Sequence, residues 1–199
     1  GTPSSVNPDS IPKLGDVKYV DQNGDGLIND EDITVIARTQ PKHYGSIYNN
    51  FSYKEFNLGV LFTYKYGFDV INGNKHRMYA NGYANFNQMG EMRDHWTPYN
   101  RHTNIPRADY EDRNLTSRFV EDGSFVRLQS INLSYKLPSD AAQSIGLNSF
   151  QLYSNIDNVF LWTKYTGFDP EVSVARGQRA ITSQNLDYGA YPRTLNVTF

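Results

Sequence analysis

A side-chain period of two constrains this chain more than any other feature. In "EFNLGVLFTYKYG", residues 55–67, Phe56, Leu58, Val60, Phe62, Tyr64 and Tyr66 share one face. Asn57, Gly59, Thr63 and Lys65 share the other, with Leu61 the one apolar exception. Successive residues of a strand point to opposite sides, so this pattern specifies a strand with one apolar and one polar face. The preceding "YGSIYNNFSY" places Ile47, Phe51 and Tyr53 in the same phase, and only Lys54 and Glu55 intervene. The pair is predicted to form a hairpin.

Further strands follow from the same rule. In "SFVRLQSINLSYKLP", Ile131, Leu133, Tyr135 and Leu137 alternate with Asn132, Ser134 and Lys136. Val126 and Leu128 lie in the opposite phase, which predicts a bulge or a strand leaving its apolar surroundings. "SFQLYSNIDNVFLW" alternates less regularly, and the terminal "YPRTLNVTF" puts Tyr191, Leu195, Val197 and Phe199 on one side. Between two of these strands "PSDAAQSIG" suits one short helix, with Ser139 as the expected N-cap and Gly146 as its stop.

The connections then sort by length. Long segments (1–43, 68–123, 163–190) alternate with short ones (54–55, 138–149). A soluble sandwich has no reason to separate loop lengths by side. An outer-membrane barrel does, with short periplasmic turns and long extracellular loops. Composition bears on this choice: 15 Tyr and 11 Phe fit aromatic girdles at two membrane interfaces. Hydrophobic residues make up only 38 %, and no apolar run approaches the ~20 residues of a spanning helix. Low mean hydropathy is compatible with a barrel, whose strands alternate lipid-facing and lumen-facing residues. The expected fold is therefore all-β: antiparallel transmembrane barrel strands with long extracellular loops. The expected division is 1–43 as an extracellular loop region and 44–199 as barrel strands and loops.

Other totals exclude function classes. A net charge of −2 without a Lys/Arg cluster argues against nucleic acid. Cysteine is absent, which removes disulfides and thiolate chemistry. His43, His76, His95 and His102 show no metal-ligand spacing, and there is no nucleophile elbow or phosphate loop. No catalytic residues are expected. The N-terminal "GTPSSVNPDSIPK" lacks the charged start and apolar core of a signal peptide.

One motif stands apart. "DQNGDGLINDED", residues 21–32, matches D-x-[DN]-x-[DN]-G. Asp21, Asn23 and Asp25 occupy positions 1, 3 and 5, and Gly26 the sharp turn at 6. Leu27 would offer its carbonyl at 7, and Asn29 stands at the water-mediated position 9. Asp32 stands at 12, where Glu is usual. Calcium takes about 6–8 hard oxygen ligands, and alternate residues of a tight loop can supply them. Asp21, Asn23, Asp25, Leu27 and Asp32 are thus the expected ligands of a structural calcium ion, with an affinity on the order of 10⁻⁴–10⁻³ M. The competing reading is a polar Asx/Gly turn. In the long loops Tyr79, Tyr83, Phe86, Trp96 and Tyr99 could stack on sugar rings, although packing between loops is preferred and no substrate residue is assigned.

Several blocks together carry a resemblance: "GDVKYVDQNGDGLINDED", "HWTPYNRHTNIPR", "FVEDGSFVRLQSINLSYKLP", "NIDNVFLWTKYTGFDPEV" and "YPRTLNVTF". In order, they resemble the C-terminal part of the SusC/RagA family, TonB-dependent outer-membrane transporters of Bacteroides-type Gram-negative bacteria. The resemblance implies the last portion of a 22-stranded barrel around a plug. It also implies a SusD-like lipoprotein as a lid, TonB as energy source through a region absent from this chain, outer-membrane lipid around the barrel, and oligosaccharide or peptide cargo. Two alternatives belong to other classes. A secreted dockerin-like calcium module would require a second acidic loop, which is missing. A soluble sugar-binding β-sandwich would not sort its loops by length.

Overall fold

The computed structural model describes residues 13–79, 87–110, 115–172 and 185–199. Eight strands and two short helices run in the order β1 (His43–Tyr53), β2 (Phe56–Tyr66), β3 (Asp69–Asn72), α1 (Gly73–Tyr79), β4 (Val120–Asp122), β5 (Phe125–Lys136), α2 (Ser139–Ser144), β6 (Gln151–Thr163), β7 (Leu186–Asp187) and β8 (Asn196–Thr198). Short 3₁₀ turns add Asp30–Asp32, Gly90–Asp94 and Ser117–Phe119. No helix among the described residues is long and apolar enough to cross a membrane. The chain divides into two compact units, one of Gly1–Ile36 with Asn72–Val120 and one of Ala37–Ile71 with Glu121–Phe199.

The second unit is built on an antiparallel sheet in the order β1-β2-β5-β6-β8. Its apolar face reads in rows across the strands. Phe56, Tyr135 and Leu152 form one end row, and Leu58 stands beside Leu133 in the next. Val60, Ile131, Ile156 and Val197 cross the middle. Ile47, Phe62, Leu128 and Phe160 follow, and Tyr64, Val126 and Trp162 lie toward the other end. The opposite face carries Thr63, Lys65, Arg127, Ser130, Asn132, Asn155 and Asp157. The expected hairpin closes at Lys54, whose φ of 51° is tolerated in so tight a turn.

The predicted bulge is present and has a cost in residues. Between the Val60 and Phe62 rows, β2 inserts only Leu61, β5 inserts Gln129 and Ser130, and β6 inserts Asp157, Asn158 and Val159. This stepped insertion returns Val126 and Leu128 to the face of Ile131 and Leu133, so the two phases in the sequence become one face. Asn158 takes up the irregularity with φ 56°, a conformation asparagine accepts more readily than branched residues.

The same irregularity explains why β8 is short. The alternation expected over 191–199 yields only Asn196–Thr198, paired with Asp157–Asn155. Past Asp157 the β6 backbone no longer pairs with β8. The Asn158 side-chain amide donates instead to the Thr194 carbonyl at 3.1 Å.

Helix α2 forms where expected and stops at Gly146, φ 79°. Its N-cap is Pro138 rather than Ser139, and no side chain caps it. Pro138 is held extended, so Ser139 becomes the first helical residue. The stretch 68–123 also holds more structure than a loop. β4, β3 and β7 form a second, three-stranded sheet at the end of the large sheet where the long segments leave. Phe68, Val70, Phe125, Tyr165 and Val172 bury there, with Leu161 and Ala190 packed against them.

Gly123 sits in this core under tight contact. A Cβ there would stand 2.5 Å from the Phe68 ring and 2.7 Å from a Val70 methyl. Gly123→Ala is expected to destabilise this unit by about 1–3 kcal/mol through overpacking, seen as faster hydrogen exchange at Gly67–Ile71 than at the centre of β5.

Candidate functional site

Three places bear chemistry: the acidic loop, the polar face of the sheet, and a hard turn in the first unit. The acidic loop is folded by its own side chains. The Gly24 and Gly26 amides donate to the two Asp21 oxygens at 2.6 and 2.9 Å. The Asp25 amide donates to Asn23 Oδ1, and the Leu27 amide to Asp25 Oδ1. Gly24 and Gly26 adopt φ of 77° and 83° with open space around them, so glycine is needed there for its backbone freedom. Asp32 accepts from the Gln22 and Asn29 amides at 2.7 and 2.9 Å. The backbone N–H of Asn29 and then that of Gln22 hold its carboxyl below the ordinary aspartate value of 3.8.

Within the loop the Asn23 side-chain amide donates to Asp25 at 3.2 Å, while both Asp32 oxygens are engaged by backbone. The acid that reaches across to Asn23 is its neighbour Glu31, which accepts from the Asn23 amide at 3.1 Å. Glu31 went unmarked in the sequence because loop position 11 carries no ligand in the motif. Asn29 caps the following 3₁₀ turn, with Asp32 reciprocating in a capping box. Among the described residues, no group of three or more His, Cys, Asp or Glu side chains converges closely enough to hold a metal ion.

The polar face of the sheet carries an ion-pair network at its long-segment end. Arg127, on β5, is 92 % buried as a side chain, given its 8 % exposure. Its guanidinium contacts both Asp169 oxygens at 2.8 and 3.0 Å and Glu171 at 2.9 Å. Glu171 also pairs with Lys65 of β2 at 2.7 Å. Two cations on the sheet thus hold two anions of the segment after β6. Nearby, Tyr165 donates to the fully buried Asp187 at 2.6 Å. Burial first, and then Asp187, push the Tyr165 phenol well above its ordinary value, so it remains a donor. Thr166 ties the same segment to Glu121 through its hydroxyl and its amide. Asp169 lies 42 residues from Arg127, so no spacing signal could have joined them.

In the first unit Tyr79, Met92 and Phe119 form a small core. His76 packs edge-on against Phe119, ring centroids 4.9 Å apart. Trp96 is seated over Gly15, where a Cβ would lie 2.5 Å from its ring. Tyr79 and Trp96 therefore follow the packing reading. Tyr99 is exposed at the tip of a turn. Tyr83 and Phe86 lie outside the described residues.

The sheet has the fold of a known class of proteins. TonB-dependent receptor P26 of Formosa agariphila is 34 % identical over 196 residues, 94 % of this chain. TonB-dependent receptor P3 of the same organism is 31 % identical over 197 residues, 98 % of this chain. The chain is a homologue of the TonB-dependent receptors. It spans about a fifth of the length of these relatives, 20 % and 19 %. No family model matches it. Among solved structures, the RagAB peptide transporter superposes with a TM-score of 0.66 at 23 % identity, over 79 % of this chain and 16 % of that one. The "open-open" state of the RagAB peptide importer gives 0.65 at 24 %, over 78 % and 16 %. The resemblance read from the motifs holds by sequence at the level of TonB-dependent receptors, and the fold is that seen in RagAB.

The Arg127 network makes a specific demand on a TonB-dependent receptor fold. Arg127→Met is expected to cost about 3 kcal/mol, because it strands Asp169, itself mostly buried, without its cation. Hydrogen exchange should rise at 165–171. Pairing it with Asp169→Leu should restore part of the loss, whereas Lys65→Met, at a more exposed pair, should cost under about 1 kcal/mol.

Proposed function

We propose that this chain is the C-terminal barrel region of a SusC-like TonB-dependent transporter in the outer membrane of a Bacteroides-type bacterium, importing oligosaccharides or peptides. It contributes strands to a 22-stranded barrel and performs no catalysis. A SusD-like lipoprotein covers the extracellular mouth, and TonB acts through the plug region of the whole protein.

The observation that carries this reading is the unburied apolar face. Leu58, Val60 and Phe62 do not converge on a sealed interior; they stay half-exposed. Ile47, Phe51, Leu133, Phe160 and Val197 are more exposed still. No second sheet covers this face among the described residues, which argues against a sandwich. The face is also graded. Tyr53, Phe56 and Tyr135 mark the short-turn end, Tyr64, Tyr66 and Trp162 mark the long-segment end, and the rows between are aliphatic apart from Phe51, Phe62 and Phe160. From Phe56 to Tyr66 are ten residue steps, about 34 Å along a strand. At a tilt of about 40° that covers about 26 Å, against an apolar band of about 25 Å in such barrels. Tyr and Trp at the ends and wholly apolar Leu, Ile, Val and Phe between are what two membrane interfaces and an acyl core select. On this reading Lys65, Arg127, Asn132 and Asp157 face the lumen.

Face assignment is testable in the full-length protein. Val60→Arg should destabilise it by about 2–4 kcal/mol, as expected for a cation at the bilayer midplane. Asn132→Arg, on the exposed polar face, should fold as well as the parent. Denaturant titration in phospholipid vesicles measures both. Equal costs at the two positions would remove the membrane reading.

The acidic loop is assigned here to calcium. Asp21, Asn23, Asp25, the Leu27 carbonyl and Asp32 would supply oxygen ligands, and the ion would relieve repulsion among the carboxylates. Each carboxylate oxygen that accepts one amide proton retains a second lone-pair site. The loop's motif and its two left-handed glycines support this reading. Millimolar calcium should protect the 21–32 segment from proteolysis, magnesium should not, and Asp21→Ala should abolish the protection. An Asx/Gly turn that binds nothing predicts no cation dependence.

A further inference from the structure

The apolar face of the large sheet is not flat at its long-segment end. A groove of about 680 Å³ opens there, and every residue lining it belongs to the second unit. Register explains why it forms. Tyr64, Val126 and Trp162 stand in one row across β2, β5 and β6. The small Val126 separates two large rings, and each ring packs elsewhere. Tyr64 lies over Gly45 of β1, 3.0 Å from where a Cβ would stand. Trp162 packs along its own strand on Phe160, with ring centroids 4.7 Å apart. Val126 is left exposed between them as the floor of the groove.

The rim at the long-segment end is polar and fixed. Ser124 and Lys164 stand one step beyond the paired Phe125 and Thr163. The Ser124 hydroxyl accepts from the Gly67 amide at 3.0 Å, and its carbonyl accepts from the Thr163 hydroxyl at 2.9 Å. The charges on this rim are not equivalent. Lys65 is already neutralised by Glu171 at 2.7 Å. Asp122 gives Oδ1 to the Ser124 amide at 2.9 Å, which leaves Oδ2 to accept a hydroxyl. Lys164 is exposed and makes no ion pair among the described residues.

These features select a class of ligand. A lysine ammonium binds phosphate as a point charge, and basic sites beside apolar surface hold lipid headgroups. The spare carboxylate oxygen takes a hydroxyl, which a sugar headgroup offers. The floor continues into the row of Phe62, Leu128 and Phe160, which suits an acyl chain and has no use for a soluble anion. Tyr and Trp mark the level of a membrane interface, and the long segments mark the extracellular side.

We infer that the groove over Val126 binds a phosphorylated glycolipid of the outer leaflet. Its phosphate sits on Lys164, a sugar hydroxyl on Asp122 and an acyl chain along Val126. This inference rests on the transporter reading, which turns this face to lipid and its long-segment end outward.

The test is displacement of labelled monophosphoryl lipid A from the full-length transporter in detergent. The dephosphorylated lipid should compete at least ten-fold more weakly than the phosphorylated one, and millimolar inorganic phosphate should displace none. Lys164→Glu should weaken binding at least ten-fold, and Lys164→Arg should retain most of it. Val126→Trp fills the floor and should weaken binding as much, with an unchanged melting temperature, because it adds apolar surface to a face that meets lipid. Lys136→Glu, at the short-turn end, should change nothing, which separates a site from general attraction of anions. Equal competition by the two lipids, or parent-like binding by Lys164→Glu, overturns the inference alone. Displacement by phosphate as readily as by lipid overturns it in favour of a free-anion site. A parent that binds no lipid overturns the site only, provided Val60→Arg and Asn132→Arg keep their expected difference. Where that difference is absent too, the transporter reading falls with it.

Discussion

Everything in this chain depends on one antiparallel ladder keeping its apolar side chains on one face. Backbone N–H and C=O groups in a membrane must be satisfied within the structure, and an antiparallel sheet does this strand by strand. The side-chain period of two then decides what each face meets. The ladder is not uniform. One, two and three residues are inserted on β2, β5 and β6 between the same two rows. Without Gln129 as an extra residue, either Val126 and Leu128 or Ile131 and Leu133 would turn to the polar side. A one-residue slip moves every later side chain to the wrong face. The bulge is thus the device that lets a broken sequence pattern give a continuous surface.

That device also shows what was legible in the sequence. The long strands are readable because each holds several apolar residues in one phase, unbroken in β2 and interrupted in β5 and β6. The hairpin at Lys54 and Glu55, the phase break before Ile131 and the stop at Gly146 all followed from local rules. β3, β4 and β7 were not readable, because strands of four, three and two residues carry no period. They exist because Phe68, Val70 and Phe125 share a core that only the folded chain assembles. The terminal strand was over-read for a related reason. Its alternation is real, but its pairing with β6 ends at Asp157, beside the irregularity at Asn158. A strand's length is set by its neighbour as much as by itself.

The candidate sites divide along the same line. The acidic loop was legible because its contacts span ten residues or fewer. Even so, spacing did not foretell that Asp32 would satisfy two backbone amides while Glu31 faces Asn23. A motif states which residues are near one another; the competition for lone pairs is settled by backbone geometry. The Arg127, Asp169, Glu171 and Lys65 network was invisible, since it joins two strands to a distant segment. Tyr99 was visible as a loop aromatic but not as distinct from Trp96. Burial separates them: one ring seats the turn against Gly15, the other stands clear of it.

These distinctions bear on how a transporter could use such a fold. In the proposed barrel the apolar face gains its stability from an acyl phase, so it needs breadth rather than jigsaw contacts. In the proposed barrel the polar face meets the wet lumen, and it holds Arg127 almost fully buried. A buried cation needs counter-charge, and two acids of one segment supply it at one terminal nitrogen of Arg127, while its buried Nε is left without a hydrogen-bond partner. Removing that segment from the sheet would expose two cations and two anions together. Water would repay much of that cost, because charges regain hydration as they separate. The network therefore fixes a position without making the segment immovable. A greasy anchor of equal area would lack that reversibility. On a surface that must stay polar, a paired set of charges can hold a loop in register and still release it.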